Sequence, residues 1–268
     1  MNQPLVSIIM PVFNGASFLA QAIQSVLNQT YTKWELLVIN DGSTDDSQHI
    51  IHSFPDERIR YFSQDNKGVS AARNVGLAEM KGQYFCFLDA DDVLPPDSVA
   101  VRIKHFEKNP GIGFVDGAVR ITSEDLKNTL RFYKPSFRGN PHRELMKLNG
   151  TCFVGPSWMV KKTADQYQMD EALRHGEDLM FYIAISYQGG IYDYVDQEIL
   201  LYRQHSSSAM RNLEGLHKGY RVMYEKLKAF PGFSGWIRFR YQLRVKRFMA
   251  LSYVADKNYR AAFLTLIS

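Results

Sequence analysis

Three aspartates, Asp89, Asp91 and Asp92, follow directly on an apolar run, Tyr84 to Leu88, in the stretch QYFCFLDADDVLPPDS (83–98). Clustered carboxylates raise one another's pKa and cost free energy. The stretch therefore predicts either acids splayed into water or acids that hold a cation. Oxygen ligands of this kind suit hard ions such as Mn2+ or Mg2+, which need only one or two protein carboxylates when phosphate oxygens complete the shell. A second acidic pair, Glu177-Asp178, opens the segment RHGEDLMFYIAISYQGG (174–190). At a helix start the macrodipole favours such acids even without a function. Other polar residues that close apolar runs are Asn14, Asp41, and Arg203 with His205. On residue type alone, a lone histidine such as His205 reads as structural.

Short apolar runs rich in β-branched and aromatic residues predict the strands that must carry these groups, at 6–14, 34–41, 58–64, 83–90 and 112–121. Between the first two, Leu19, Ala22, Ile23 and Val26 form one apolar helical face. Alternation of strand and helix predicts parallel pairing with helices on both faces of a sheet. In such open sheets ligands bind beyond the carboxyl ends of the strands. Asn14, Asp41, Asp89 and Asp91 fall at those ends. Some of the flanking residues also have plain structural readings. In NDGSTDDS (40–47), Asp41-Gly42 signals a turn and Ser43 or Thr44 can cap the next helix. NKGVSAARNVGLAEMKG (66–82) reads as a loop entering a helix that ends near Gly82, with Arg73 as readily a surface charge as a ligand.

The 268 residues suffice for one large domain, or one domain with an appendage. Apolar residues make up 45% and charged residues 22%, the balance of a folded chain. A net charge of +4 is too small to indicate nucleic acid without a patch or motif. The only cysteines, Cys86 and Cys152, are expected to be buried and unpaired, which favours a reducing compartment. The start, MNQPLVSIIMPVF, lacks a basic region and meets Pro11 after a short apolar run, so it does not read as a signal peptide. No apolar run approaches the ~20 residues of a membrane helix. These features predict a cytoplasmic protein.

Five ordered motifs, SIIMPVFN, ELLVINDGSTDDS, NKGVSAARNVGL, FLDADDVL and GEDLMFYI, with YRQHSSS behind them, resemble those of family 2 glycosyltransferases over residues 5 to 210. The resemblance implies an α/β fold of the GT-A type, a Rossmann-like, mostly parallel sheet flanked by helices, with a C-terminal helical extension. It implies a catalytic domain over 1–210, with a nucleotide-binding half (1–120) and an acceptor-binding half (121–210), followed by the extension over 211–268. It further implies a nucleotide-diphosphate sugar donor, typically a UDP-sugar, a divalent cation, Mn2+ or Mg2+, and inversion at the anomeric carbon. By the same resemblance Asp91 binds the metal, Asp89 meets the metal or the ribose, and His205 joins the metal set, while Asp92 has no settled role.

Asp41 is implied to accept from the base, the N3–H in uracil. Pro11, Val12, Phe13, Asn14 and Ala90 are implied to surround the nucleotide, with Arg73 and Lys67 near its base or phosphates. One departure is Asn40, where many relatives carry a second aspartate. Asp178 is implied to be the general base and Glu177 to orient the acceptor or a loop. Sugar contacts are expected from Thr151 to Trp158 and from His175 onward. The Gln-x-x-Arg-Trp box of processive synthases does not follow Asp178, so one sugar per encounter is expected. A bacterial surface glycan or lipid-linked acceptor is the acceptor class the resemblance suggests.

Two alternatives exist. FCFLDADDVL also fits a haloacid dehalogenase-type phosphatase with Asp89 as nucleophile and Asp91 as acid, but that motif belongs to a first strand and three strands precede it here. A non-catalytic nucleotide-sugar-binding module is the other, against which stand Asp91 and Asp178, both present. Finally, GWIRFRYQLRVKRFMALSYV (235–254) predicts a helix with Trp236, Phe239, Leu243 and Phe248 on one apolar side. It also carries Arg238, Arg240, Arg244, Lys246 and Arg247 with no acid among them. Such a helix either packs on the catalytic domain with its cations solvated, or lies peripherally in the interface of an anionic membrane.

Overall fold

Successive residues of the first strand feed two different cores: Ile9 packs with Leu37, Phe85 and Phe87, whereas Ile8 and Met10 pack with Leu36, Val38 and Cys86. A strand buried on both faces reads as a continuous apolar run. The computed structural model describes residues 3–163, 166–206, 208 and 211–267. Its first half runs β1 (Val6–Val12), α1 (Ala16–Leu27), β2 (Trp34–Asp41), α2 (Ser47–His52), β3 (Ile59–Gln64), α3 (Val69–Glu79), β4 (Tyr84–Phe87) and α4 (Ser98–Lys108). The second half runs β5 (Phe114–Thr122), β6 (Thr129–Tyr133), α5 (His142–Met146), β7 (Met159–Lys161), α6 (Glu177–Tyr187) and β8 (Tyr192–Arg203). Three helices follow: α7 (Leu213–Leu227), α8 (Gly235–Ala255) and α9 (Tyr259–Ile267). Ser207, Ala209 and Met210, from the run after β8, lie outside the described residues, as does Ser268.

The strands form one sheet in the order β3-β2-β1-β4-β7-β5-β6, with β8 also paired to β5. β1 lies parallel to β2 and β4, and β2 parallel to β3, so that Ile9 sits beside both Leu37 and Phe87. The fifth expected strand departs from this pattern. β7 enters antiparallel between β4 and β5, and β5 finds its parallel partner in β8. A three-residue strand such as β7 is too short to carry a periodic signal.

Two local readings are corrected. Ser43 and Thr44 cap no helix, since α2 starts at Ser47 behind Asp46. Instead the Ser43 Oγ accepts the Asn14 N–H at 3.0 Å and the Thr44 N–H donates to Asn14 Oδ1 at 2.8 Å, which ties the loops after β1 and β2 together. Gly82 is no helix cap either, because α3 ends at Glu79 and Met80 is already extended. Its lack of a side chain serves close approach: a Cβ there would lie 2.7 Å from the Ser7 nitrogen.

The helix expected over 235–254 forms, and the side it packs inward is not the one that carries Trp236. Ile237, Tyr241, Val245 and Met249, spaced four apart, join the core cluster that contains Ile9 and Phe85. Trp236, Phe239, Leu243 and Phe248 remain 63, 55, 53 and 40% exposed. The helix has two apolar sides, and composition alone does not tell which one packs. Cys86 and Cys152 are both buried and free. Among the described residues no helix is long and apolar enough to cross a membrane.

Candidate active site

The loop after β4 is fixed by its most buried acid. Asp92 accepts the Arg203 backbone N–H at 2.9 Å, and Val93 bridges to Leu201, so the acidic loop is fastened to the end of β8. Burial first, then Asp91 and Asp89, push the Asp92 carboxyl well above the usual carboxylate range. The Arg203 guanidinium completes the brace by donating to the Asp91 carbonyl at 2.6 Å and to Gln21 Oε1 at 2.7 Å. Asp92 is therefore a strut, while Asp89 and Asp91 keep 28 and 35% of their side-chain surface open.

One carboxylate oxygen from each of the three aspartates lies within 4.8 Å of the others. Asp91 Oδ2 also faces His205 Nε2 at 2.8 Å. Burial and Asp89 raise the Asp91 carboxyl, and His205 pulls it down again. An open pair of oxygen donors whose repulsion disfavours ionisation fits a hard divalent cation. Asp89 and Asp91 are the groups that would hold it, and His205 stands beside Asp91.

Arg73 is not a surface charge, since it is 2% exposed. It projects from the packed face of α3, where Ala71, Ala72 and Gly76 let the helix lie close to the sheet; a Cβ at Gly76 would come within 2.4 Å of Ile9. Its Nη2 donates to Asp89 Oδ1 at 2.7 Å and its Nη1 to Glu177 Oε1 at 3.3 Å. Burial alone would lower its pKa, but Asp89, Glu177 and Asp178 outweigh that and raise it. The guanidinium thus joins acids that stand far apart in sequence.

Glu177 and Asp178 open α6 directly behind Gly176, whose φ of +78° is left-handed and where a Cβ would meet Met223 Cε at 2.4 Å. Burial raises the Glu177 carboxyl against the pull of Arg73, the charge that holds it. Among the described residues the Asp178 carboxylate accepts only its neighbour's N–H, from Leu179 at 2.7 Å. Burial, then Glu177, push the Asp178 carboxyl up to about 7. Of the two acids, Asp178 is the one left to act on a ligand.

These groups line one cleft of about 1130 Å³, together with Pro11, Val12, Phe13, Asn14, Asp41 and Ala90. Phe13 offers an exposed ring, and Asn14 adopts a left-handed φ of 50° that asparagine tolerates well. The Asp41 carboxylate accepts from Gln64 Nε2 at 2.6 Å and from the backbone of Lys67 and Gly68 at 2.9 and 2.8 Å, which anchors the entry to α3. The Lys67 side chain lies outside the cleft lining. Thr151 through Pro156 and His175 line the cleft, whereas Trp158 is fully buried and donates to the Cys152 carbonyl at 2.9 Å. The sequence reading missed Arg244, Arg247, Phe248 and Leu251 of α8, which form part of the wall. Their cationic and aromatic pattern was visible, but nothing linear returns that helix to the site.

Residues 7–168 match the model of the family described as Glycosyl transferase family 2. The chain belongs to that family. An uncharacterized glycosyltransferase of Rickettsia felis is 35% identical over 189 residues, which is 69% of this chain and 31% of the relative, so the chain spans about a third of that relative's length. S. aureus TarS 1–349 in complex with UDP-GlcNAc superposes with a TM-score of 0.69 over 98% of this chain and 90% of that chain, at 13% identity. The mannosyltransferase PcManGT from Pyrobaculum calidifontis, in complex with GDP-Man and Mn2+, gives 0.66 over 100% and 75%, at 18% identity. The fold of this family 2 glycosyltransferase is GT-A. The phosphatase reading falls with it: β4 comes fourth in the chain, and Asp89 is paired to Arg73 rather than free to attack.

Proposed function

We propose that this glycosyltransferase moves one sugar from a nucleotide-diphosphate sugar, a UDP-sugar, to a hydroxyl of a glycan or lipid-linked acceptor, with inversion, in the making of a bacterial surface polysaccharide. The observation that carries the reading is Arg73, which joins Asp89 after β4 to Glu177 at the start of α6 inside one cleft. Donor-end and acceptor-end acids are thereby held as one unit. TarS with UDP-GlcNAc and PcManGT with GDP-Man and Mn2+ share the fold, which supports a sugar nucleotide as ligand. In this reading residues 1–120 hold the nucleotide, 121–210 the acceptor, and 211–268 add the helices that wall the cleft. Two free, buried cysteines support a cytoplasmic setting.

Each residue has a defined task. Asp91 and Asp89, with His205 beside them, would hold Mn2+ or Mg2+, which supplies stabilisation of the charge growing on the departing diphosphate. Pro11, Val12, Phe13, Asn14, Asp41 and Ala90 surround the nucleotide, and Lys67, just ahead of α3 and outside the cleft lining, adds positive charge. Asp178 takes the proton of the acceptor hydroxyl as that oxygen bonds to C1 and the bond from C1 to the diphosphate breaks. Glu177, fixed by Arg73, keeps the start of α6 in place. No processive box follows Asp178, which supports single additions.

Thermal unfolding with a panel of UDP- and GDP-sugars, with and without Mn2+, tests the reading. A ligand at 100-fold its Kd stabilises by about 2.7 kcal/mol, or roughly 5–11 °C for a chain of this size. The expected result is a metal-dependent rise with a UDP-sugar. A rise with GDP-sugars alone would overturn the choice of base, and no rise with any sugar nucleotide would overturn the donor class.

A further inference from the structure

Ten of the fifteen large hydrophobic residues that stay exposed among the described residues lie on α8 and α9. Trp236, Phe239 and Leu243 follow one another at helical spacing along one stripe, and Leu251, Phe263 and Leu266 extend the apolar surface at 59, 63 and 58% exposure. Contiguous apolar surface of this kind on a folded protein marks an interaction site. Its chemistry is mixed in a particular way. The Trp236 and Phe239 rings stack at 6.0 Å, and the Arg240 guanidinium lies over Trp236 at 5.6 Å. α8 contains no acidic residue. The side chains of Arg244, Lys246 and Arg247 make no hydrogen bond or ion pair with the described residues.

We propose that this face docks on an anionic lipid bilayer, with the aromatic and aliphatic side chains at the level of the headgroups and the cations on lipid phosphates. Charge selects this occupant. A second copy of the chain docked by a two-fold axis would set the cationic stripe against itself, whereas an anionic surface neutralises it and accepts the tryptophan and phenylalanine rings as well. The face is also continuous with the site: Arg244, Arg247, Phe248 and Leu251 belong to α8 and to the wall of the cleft. Docking therefore sets the mouth of the cleft at the bilayer surface. Resting on the proposed transfer reaction, this deepens it by choosing a lipid-linked acceptor, presented at headgroup depth, over a free glycan.

Flotation of the 268-residue chain with phosphatidylcholine vesicles, with or without about one-third phosphatidylglycerol, tests the docking directly. The expected result is binding that requires phosphatidylglycerol and falls at least about tenfold between roughly 0.05 and 0.5 M salt. The double variant Trp236→Ser, Phe239→Ser should bind about tenfold or more weakly, yet keep the thermal shift with UDP-sugar, since neither residue lines the cleft. No binding of wild type to anionic vesicles at low salt overturns the proposal. So does equal binding to pure phosphatidylcholine, or a concentration-dependent dimer in light scattering that the double variant dissolves. Loss of the UDP-sugar shift with vesicle binding intact would instead sink the donor reading and leave the docking surface standing.

Discussion

The Arg73 Nη2 lies 2.7 Å from Asp89 Oδ1, and the same guanidinium reaches Glu177 at 3.3 Å. A cation shut away from solvent, with only 3% of its side chain exposed, thus joins the end of β4 to the start of α6, 104 residues away from Arg73 along the chain. Three acids face it, and without it their charges would oppose one another in a confined space.

Replacing Arg73 with Met keeps much of the volume and removes the charge. Breaking a buried pair by deleting one partner costs about 3–5 kcal/mol, which corresponds to a fall of roughly 6–20 °C in Tm for a chain of this size. Arg73→Lys keeps the charge but not the two-pronged geometry and should lie between. Thermal unfolding measures both. An Arg73→Met protein that melts within about 2 °C of wild type would show that the pairing does not hold the site together.

Asp178→Asn separates binding from chemistry. The amide has the shape of the acid but no basicity, so donor affinity should be unchanged while turnover drops by about 10²–10⁴-fold. Release of the nucleoside diphosphate reports turnover, and titration with the donor reports affinity. Turnover within about tenfold of wild type would remove Asp178 from the role of base.

The same carboxyl sets a pH dependence. Burial and Glu177 raise it to about 7, and it accepts a proton only when ionised. The ratio kcat/KM should therefore fall about tenfold per pH unit below about 7, and the limb should vanish in Asp178→Asn. Stability has the opposite sign. A carboxyl whose pKa is raised by folding stabilises the fold while protonated and loses that contribution as pH climbs through its folded pKa. Asp178→Asn should accordingly melt higher than wild type at pH 8 and not at pH 4. An acid limb that persists unchanged in the Asn variant belongs to another group.

How much of this was legible in the sequence follows from the range of the interactions. β1 to β4 were readable because each is an apolar run bounded by turn residues, and the acids behind them marked the carboxyl ends of the strands. β7 was not readable, because three residues carry no period and its place between β4 and β5 is set by pairing at long range. On residue type alone Arg73 read as readily as a surface charge as a ligand, because nothing local shows that Ala71, Ala72 and Gly76 press its helix onto the sheet. The sequence left the placement of α8 open for a related reason: Ile237, Tyr241, Val245 and Met249 compete with Trp236, Phe239 and Leu243, and only the tertiary fold decides between two apolar sides.

The central claim is that the acids behind β4 bind the metal that secures a sugar nucleotide, and Asp91 tests it most directly. Calorimetric titration of wild type with UDP, with and without Mn2+, should show that the metal tightens binding. In Asp91→Ala the metal-dependent part should disappear, because no other group at that position supplies a carboxylate oxygen, while UDP binding without metal should stay as it was. An Asp91→Ala protein that still binds UDP more tightly when Mn2+ is added, to the same degree as wild type, would contradict the account.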